Sequence, residues 1–375
     1  MIDRDILQIR ILARTHALDA AMDYYKYGMN VKLTGSGEGE LLSLQSLATA
    51  ESRSVAAEQF VLFTNYFGSN DYADKKISDV LTSVSPYDRA SDAQRAELVA
   101  GYLTNMVMYM AVLQTLNEAA NACDDTGADA ALSLTLLDRA AAYYVGSIEE
   151  DLEDGLDGGQ LLFAASKALC GNFSKCMNAG ISEANNQILN AFDDMSDNLL
   201  VGACDEVITT LTTIIEPFLV VPLIQGTLHY AAVNAKLPQG SNEASLGTAD
   251  AFAFSIVPFV NDVDATLGAS LMTNLQFQPD KSPVSDGAES VFEIFRTALP
   301  ALPSLSLTCS QIGQYPVYGS VCSGGSPTPT YSPVGSSDST PSDAPAPTVP
   351  TPAPAPTAPT AVAFGRYEFS SDIAM

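Results

Sequence analysis

Tryptophan is absent from these 375 residues, and histidine occurs only twice, at His16 and His229. There is no P-loop, no G-x-G-x-x-G opening a strand-to-helix turn, no G-x-S-x-G elbow and no H-E-x-x-H. The D-x-[DN]-x-[DN]-G spacing of a calcium loop is missing too. A Ser-His-Asp or Cys-His system would have to use one of two widely separated histidines. The chain is therefore expected not to be an enzyme. An acidic glycosidase, the remaining catalytic reading, would need two carboxyl groups facing each other across a cleft. Positive charge is also scarce, with 17 Lys and Arg against 44 Asp and Glu and a net charge of −27. Such a field repels phosphate backbones and anionic membranes and attracts cations, so no nucleic-acid partner is expected. No apolar run looks long enough to span a bilayer. The best, residues 214–224, carries Glu216, Pro217 and Pro222, and no direct membrane insertion is expected.

What is abundant is apolar material, at 47% of residues, enough for a large core. Strand signals are scarce and helical spacing is frequent. Ile6, Ile9, Leu12, Ala13, Ala17, Ala20 and Tyr24 share one face, with Gly28 as a stop. Ser91 and Gln94 form a capping-box pattern before a long helix through Leu113. Further helices are expected over residues 55–67, 130–144, 159–169, 182–200 and 205–234, the last kinked or split at Pro217 and Pro222. Asp286 and Glu289 mark a final capped helix. The expected fold is all-α, one helix bundle or two packed bundles. Tyr102 and Tyr109, seven apart, read as core.

The six cysteines are Cys123, Cys170, Cys176, Cys204, Cys309 and Cys322, an even number with no zinc-site spacing. Three disulfides formed in an oxidising compartment are expected. Six cysteines allow fifteen pairings. Proximity favours Cys170 with Cys176 and Cys309 with Cys322, which leaves Cys123 with Cys204. Met1-Ile2-Asp3-Arg4-Asp5 is charged and does not resemble a secretory leader, so the chain reads as a piece of a longer precursor. The helical domain is expected over residues 1–324. Residues 325–363 are a linker dominated by Pro, Ser, Thr and Ala, expected to be disordered. Residues 364–375 read as the start of a next repeat, for which the chain's own first residues are a natural continuation.

Four ordered patterns carry a resemblance. They are Tyr66-Phe67-Gly68-Ser69-Asn70-Asp71-Tyr72-Ala73-Asp74-Lys75, then Ala100-Gly101-Tyr102-Leu103-Thr104-Asn105-Met106 leading to Cys123-Asp124-Asp125. Next comes Ala142-Tyr143-Tyr144-Val145-Gly146-Ser147-Ile148-Glu149 with Cys170-Gly171-Asn172-Phe173, and last Pro222-Leu223-Ile224-Gln225-Gly226-Thr227-Leu228-His229-Tyr230-Ala231. Together, over residues 1–280, they resemble the algal iron-assimilating, low-iron-inducible periplasmic proteins and the diatom phytotransferrins. The resemblance implies a periplasmic or cell-surface location, induction by iron starvation, and Fe(III) binding with carbonate as a companion anion. The partners implied are ferric iron and the membrane-anchored remainder of the same polypeptide. Lys167-Ala168-Leu169 stands where the family has an Asp-Lys-Arg run, and His229 where it often has Arg.

Ferric iron is a hard cation that prefers oxygen donors, with His as a nitrogen donor. The chain offers 15 Tyr and many carboxylates. One candidate ligand cluster is Tyr66, Asp71, Tyr72 and Asp74, with Tyr72 and Asp74 converging if they lie in a turn. The bland alternative there is Asp71 capping the next helix. The second cluster is Tyr144 with Glu149, and the third is His229 with Tyr230. The function expected is a ferric-iron-capturing module. The competing reading is a structural repeat that spaces other domains and binds no metal.

Overall fold

The computed structural model describes residues 1–32, 41–49, 58–124, 130–148, 159–177, 180–236, 243–279, 281–302 and 307–322. The expected linker and next-repeat start lie outside these residues. The amphipathic N-terminal stretch, expected as one helix, forms two: α1 (Ile2–Arg14) and α2 (Leu18–Tyr27). His16 takes φ 60°, and the Ala17 amide donates to the Leu12 carbonyl, which closes α1 with a Schellman turn. Apolar spacing carries through that turn, so periodicity alone cannot see it. Then come the short α3 (Leu44–Ala48), α4 (Glu58–Phe67) and α5 (Tyr72–Leu81).

The expected capping box opens α6 (Asp92–Tyr102). Ser91 Oγ accepts from the Gln94 amide at 3.3 Å, and Gln94 Oε1 accepts from the Ser91 amide at 2.8 Å. A π-helical stretch, Leu103–Met108, joins α6 to α7 (Tyr109–Asp124). After α8 (Ala130–Val145) come α9 (Leu162–Cys170) and α10 (Glu183–Val201). Next, α11 (Cys204–Thr210) passes through a second π stretch, Leu211–Ile215, into α12 (Glu216–Asn234). The irregularity therefore precedes Pro217, while Pro222 lies inside α12. The remaining helices are α13 (Glu243–Val263), α14 (Ala265–Leu275), α15 (Ala288–Ala298) and the single turn α16 (Cys309–Ile312). Gly287, not Asp286, is the N-cap of α15. A two-residue hairpin, β1 (Gln314–Tyr315) against β2 (Gly319–Ser320), follows α16.

The architecture is all-α, and buried apolar residues from Ile2 to Val321 form one contiguous cluster. The choice between one bundle and two is therefore settled as a single shared core. α6 lies between α1 and α13, α7 packs on α8, and α12 contacts α9, α10 and α13. Two glycines set how close α13 comes. A β-carbon on Gly101 would sit 2.4 Å from that of Ala251, and one on Gly226 would sit 2.3 Å from the Phe252 ring. The expected lack of a bilayer-length apolar run is corrected. The continuous helices Asp92–Cys123 and Cys204–Asn234 are long and apolar enough by length and composition. Most of each apolar window is buried within the fold, which accounts for its apolar character without a membrane.

All three disulfides are those expected. Cys123–Cys204 ties the end of α7 to the start of α11, Cys170–Cys176 closes the turn after α9, and Cys309–Cys322 holds α16 to the hairpin. Such pairing suits an oxidising compartment.

The acids of the first turn of α1 act as anchors. Asp5 accepts from the Met29 and Asn30 amides and from Asn30 Nδ2. Asp3, fully buried, accepts from the Ser147 amide, from the Ile148 amide at 2.9 Å and from Ser147 Oγ at 3.0 Å. Replacing Asp3 by Ala strands two amides and is expected to cost about 2–3 kcal/mol in urea unfolding, with Asp3→Asn losing about half as much. A loss below about 0.5 kcal/mol for the Ala variant would show that water replaces the carboxylate there.

Candidate functional site

The first expected ligand cluster is dispersed by the start of α5. Tyr72 and Asp74 occupy its first turn, and residues two apart on a helix do not face each other. Tyr72 is 3% exposed, packed among Phe60, Phe63 and Phe67. Asp74 points elsewhere, accepting from Tyr25 Oη at 2.8 Å and Gln45 Nε2 at 3.0 Å. Asp71 is the exposed N-cap residue of α5, but its side chain makes no capping bond. Tyr66 is half-buried, edge-on to Phe67 at 4.8 Å, and burial raises its phenol.

Tyr144 of the second cluster is inside the core. Its hydroxyl donates to Asn185 Oδ1 at 2.7 Å, and Asn185 Nδ2 donates in turn to the Phe163 carbonyl at 2.9 Å. Burial pushes the Tyr144 phenol far up. Glu149 lies outside the described residues.

The third cluster fares differently. His229 and Tyr230, near the end of α12, line a cavity of about 430 Å³. Its walls include Arg10 of α1, Glu97 and Gly101 of α6, Thr104 and Asn105 of the π stretch, Gln160, Phe163 and Lys167 in and before α9, and Thr248 and Phe252 of α13. The Tyr230 ring stacks on Phe252 at 5.7 Å, the same ring that Gly226 admits. Tyr315 Oη lies 3.3 Å from His229 Nδ1, so Nε2 is the other nitrogen available to a ligand. Burial, and then Lys236, lower the His229 pKa, which keeps the imidazole neutral at pH 7.

Across the cavity, Arg10 and Glu97 form a forked ion pair. Nε reaches Glu97 Oε1 at 3.1 Å, and Nη2 reaches both carboxylate oxygens at 2.9 Å. The π stretch widens the helix beside the cavity. There Thr104 Oγ1 donates to the Gln160 carbonyl at 2.6 Å. Asn105 also lines the cavity, at 2% exposure. Lys167, Ala168 and Leu169 line the same cavity as His229. Among the described residues, no three His, Cys, Asp or Glu side chains are placed to hold one metal ion.

A second polar centre is closed to solvent. Tyr87 Oη and Tyr102 Oη are 3.1 Å apart, and Tyr102 donates to Asp250 Oδ2 at 2.7 Å. Burial and the Asp250 carboxylate push both phenols far up, and burial lifts Asp250 itself from 3.8 to about 6 despite the nearby Lys76. Tyr102 is in the core, as its spacing with Tyr109 predicts. Its polar partner 148 residues away leaves no local sequence signal.

No family model matches the chain, and neither does any curated protein or solved structure.

Proposed function

We propose that this chain is a ferric-iron-binding module and that the cavity beside His229 is its capture site. One observation carries the reading. A phenol, an imidazole and a carboxylate (Tyr230, His229, Glu97) line the same cavity as two cations, Arg10 and Lys167. Phenolate and carboxylate oxygens are the donors a hard trivalent ion prefers, and a neutral imidazole is a competent third. The guanidinium and the ammonium would hold a carbonate whose oxygens complete the shell. The net charge of −27 draws cations toward the surface. The disulfides fit service outside the cytosol, at a cell surface or in a periplasm.

The test is a ferric titration of the oxidised chain with and without bicarbonate, watching for a phenolate-to-iron charge-transfer band in the visible. A saturable, bicarbonate-dependent band is expected, lost in Tyr230→Phe and kept in Tyr144→Phe and Tyr72→Phe. Phenylalanine preserves the stacking on Phe252, so loss of the band would report loss of a ligand. A band that survives Tyr230→Phe would move the site elsewhere. Iron that washes off on desalting would favour a structural repeat.

A further inference from the structure

The cavity is larger than an inorganic cargo requires. A ferric ion with one carbonate fills on the order of 100 Å³, three or four water volumes. The space beside His229 is about 430 Å³, within the range usual for small-molecule sites. Its lining is also richer than an ion needs. Asn105 lines the cavity at 2% exposure, and its side-chain amide can donate to a bound oxygen. Arg10 commits Nε and Nη2 to Glu97, which leaves Nη1 outside the pair. Lys167 is exposed at the rim, and Phe163 and Phe252 supply apolar wall.

We propose that the cavity also takes iron as a complex with a small organic hydroxy-polycarboxylate, whose carboxylates stand where carbonate stands when no such acid is present. The carboxylates would meet Arg10 and Lys167, the Asn105 amide would donate to a carboxylate or hydroxyl oxygen, and the carbon skeleton would lie on the phenylalanines. The metal stays with His229 and Tyr230. This inference rests on the preceding reading, but it adds a consequence of its own: the metal-free carboxylate binds.

The experiment is calorimetric titration of citrate, without iron, into the oxidised full chain, followed by ferric citrate and by ferric ion with bicarbonate. Saturable one-to-one citrate binding is expected. Asn105→Leu and Lys167→Ala should each weaken it about tenfold, the worth of one hydrogen bond to a charged group. Lys167 is exposed, so its variant keeps the test sound should Asn105→Leu fold poorly. No citrate binding alongside an intact ferric–bicarbonate band would overturn this inference and leave the iron reading standing. Citrate binding that neither variant weakens would overturn the placement. Citrate binding with no uptake of iron in either form would overturn the iron reading and this inference with it.

Discussion

Removing the Cys123–Cys204 bridge by a double alanine substitution is expected to lower stability by about 4–5 kcal/mol, because it frees a loop of the longest span among the three. The two cysteines are 81 residues apart, against 6 for Cys170–Cys176 and 13 for Cys309–Cys322. In the chain-entropy account, a cross-link restricts the unfolded ensemble by an amount that grows with the logarithm of the loop, so the shortest bridge is worth about half as much. α7 also packs against α11 through other contacts, so the loss is expected to be one of unfolded-state freedom. Urea midpoints of the three double variants, measured side by side, decide it. If losing Cys123–Cys204 costs no more than losing Cys170–Cys176, the entropic account fails here and local strain or packing sets the order.

Asp250 should give the stability of this chain an unusual slope with pH. Its carboxyl is fully buried and holds its proton up to about pH 6, whereas the unfolded chain releases it near the ordinary 3.8. Between those values the folded state binds more protons than the unfolded one. Stability from this group is therefore present at about pH 4 and is lost as pH rises toward 7. Two units amount to about 3 kcal/mol. Asp250→Asn keeps an acceptor for the Tyr102 hydroxyl and removes the titration. The wild type should thus lose up to about 3 kcal/mol relative to the variant between pH 4 and pH 7. Unfolding midpoints of both proteins across that range are the measurement. A difference that stays flat with pH would mean that Lys76, Tyr102 and the backbone hold the carboxylate ionised.

The parts of the fold that were legible in the sequence are those written locally. The Ser91/Gln94 box, the amphipathic stretches of α1, α8 and α10, and the two short-range disulfides each need only neighbouring residues. α13 was not singled out because Phe252, Phe254, Ile256, Val257 and Phe259 are apolar on every face, as befits a helix buried all round, and Pro258 looks like a breaker. The candidate site followed the same rule. His229 and Tyr230 are adjacent and could be named together. Arg10 and Glu97, 87 residues apart, could not, nor could Asn105, which reaches the cavity wall from a π turn between two helices. Tyr72 and Asp74 were grouped because they are close in sequence, and the helix that starts at Tyr72 separates them.

The π stretch between α6 and α7 also works as a phase shifter. A π turn holds one residue more than an α turn, so it offsets the angular position of everything downstream. Upstream, Glu97 and Gly101 must face the cavity and α13; downstream, Cys123 must meet Cys204. Deleting a single residue from Leu103–Met108 would leave an ordinary α turn there, so α7 would keep its phase and Cys123 its partner. Deleting one from the regular part of α7 would instead turn everything beyond it by about 100° and slide it about 1.5 Å, swinging Cys123 out of bonding reach.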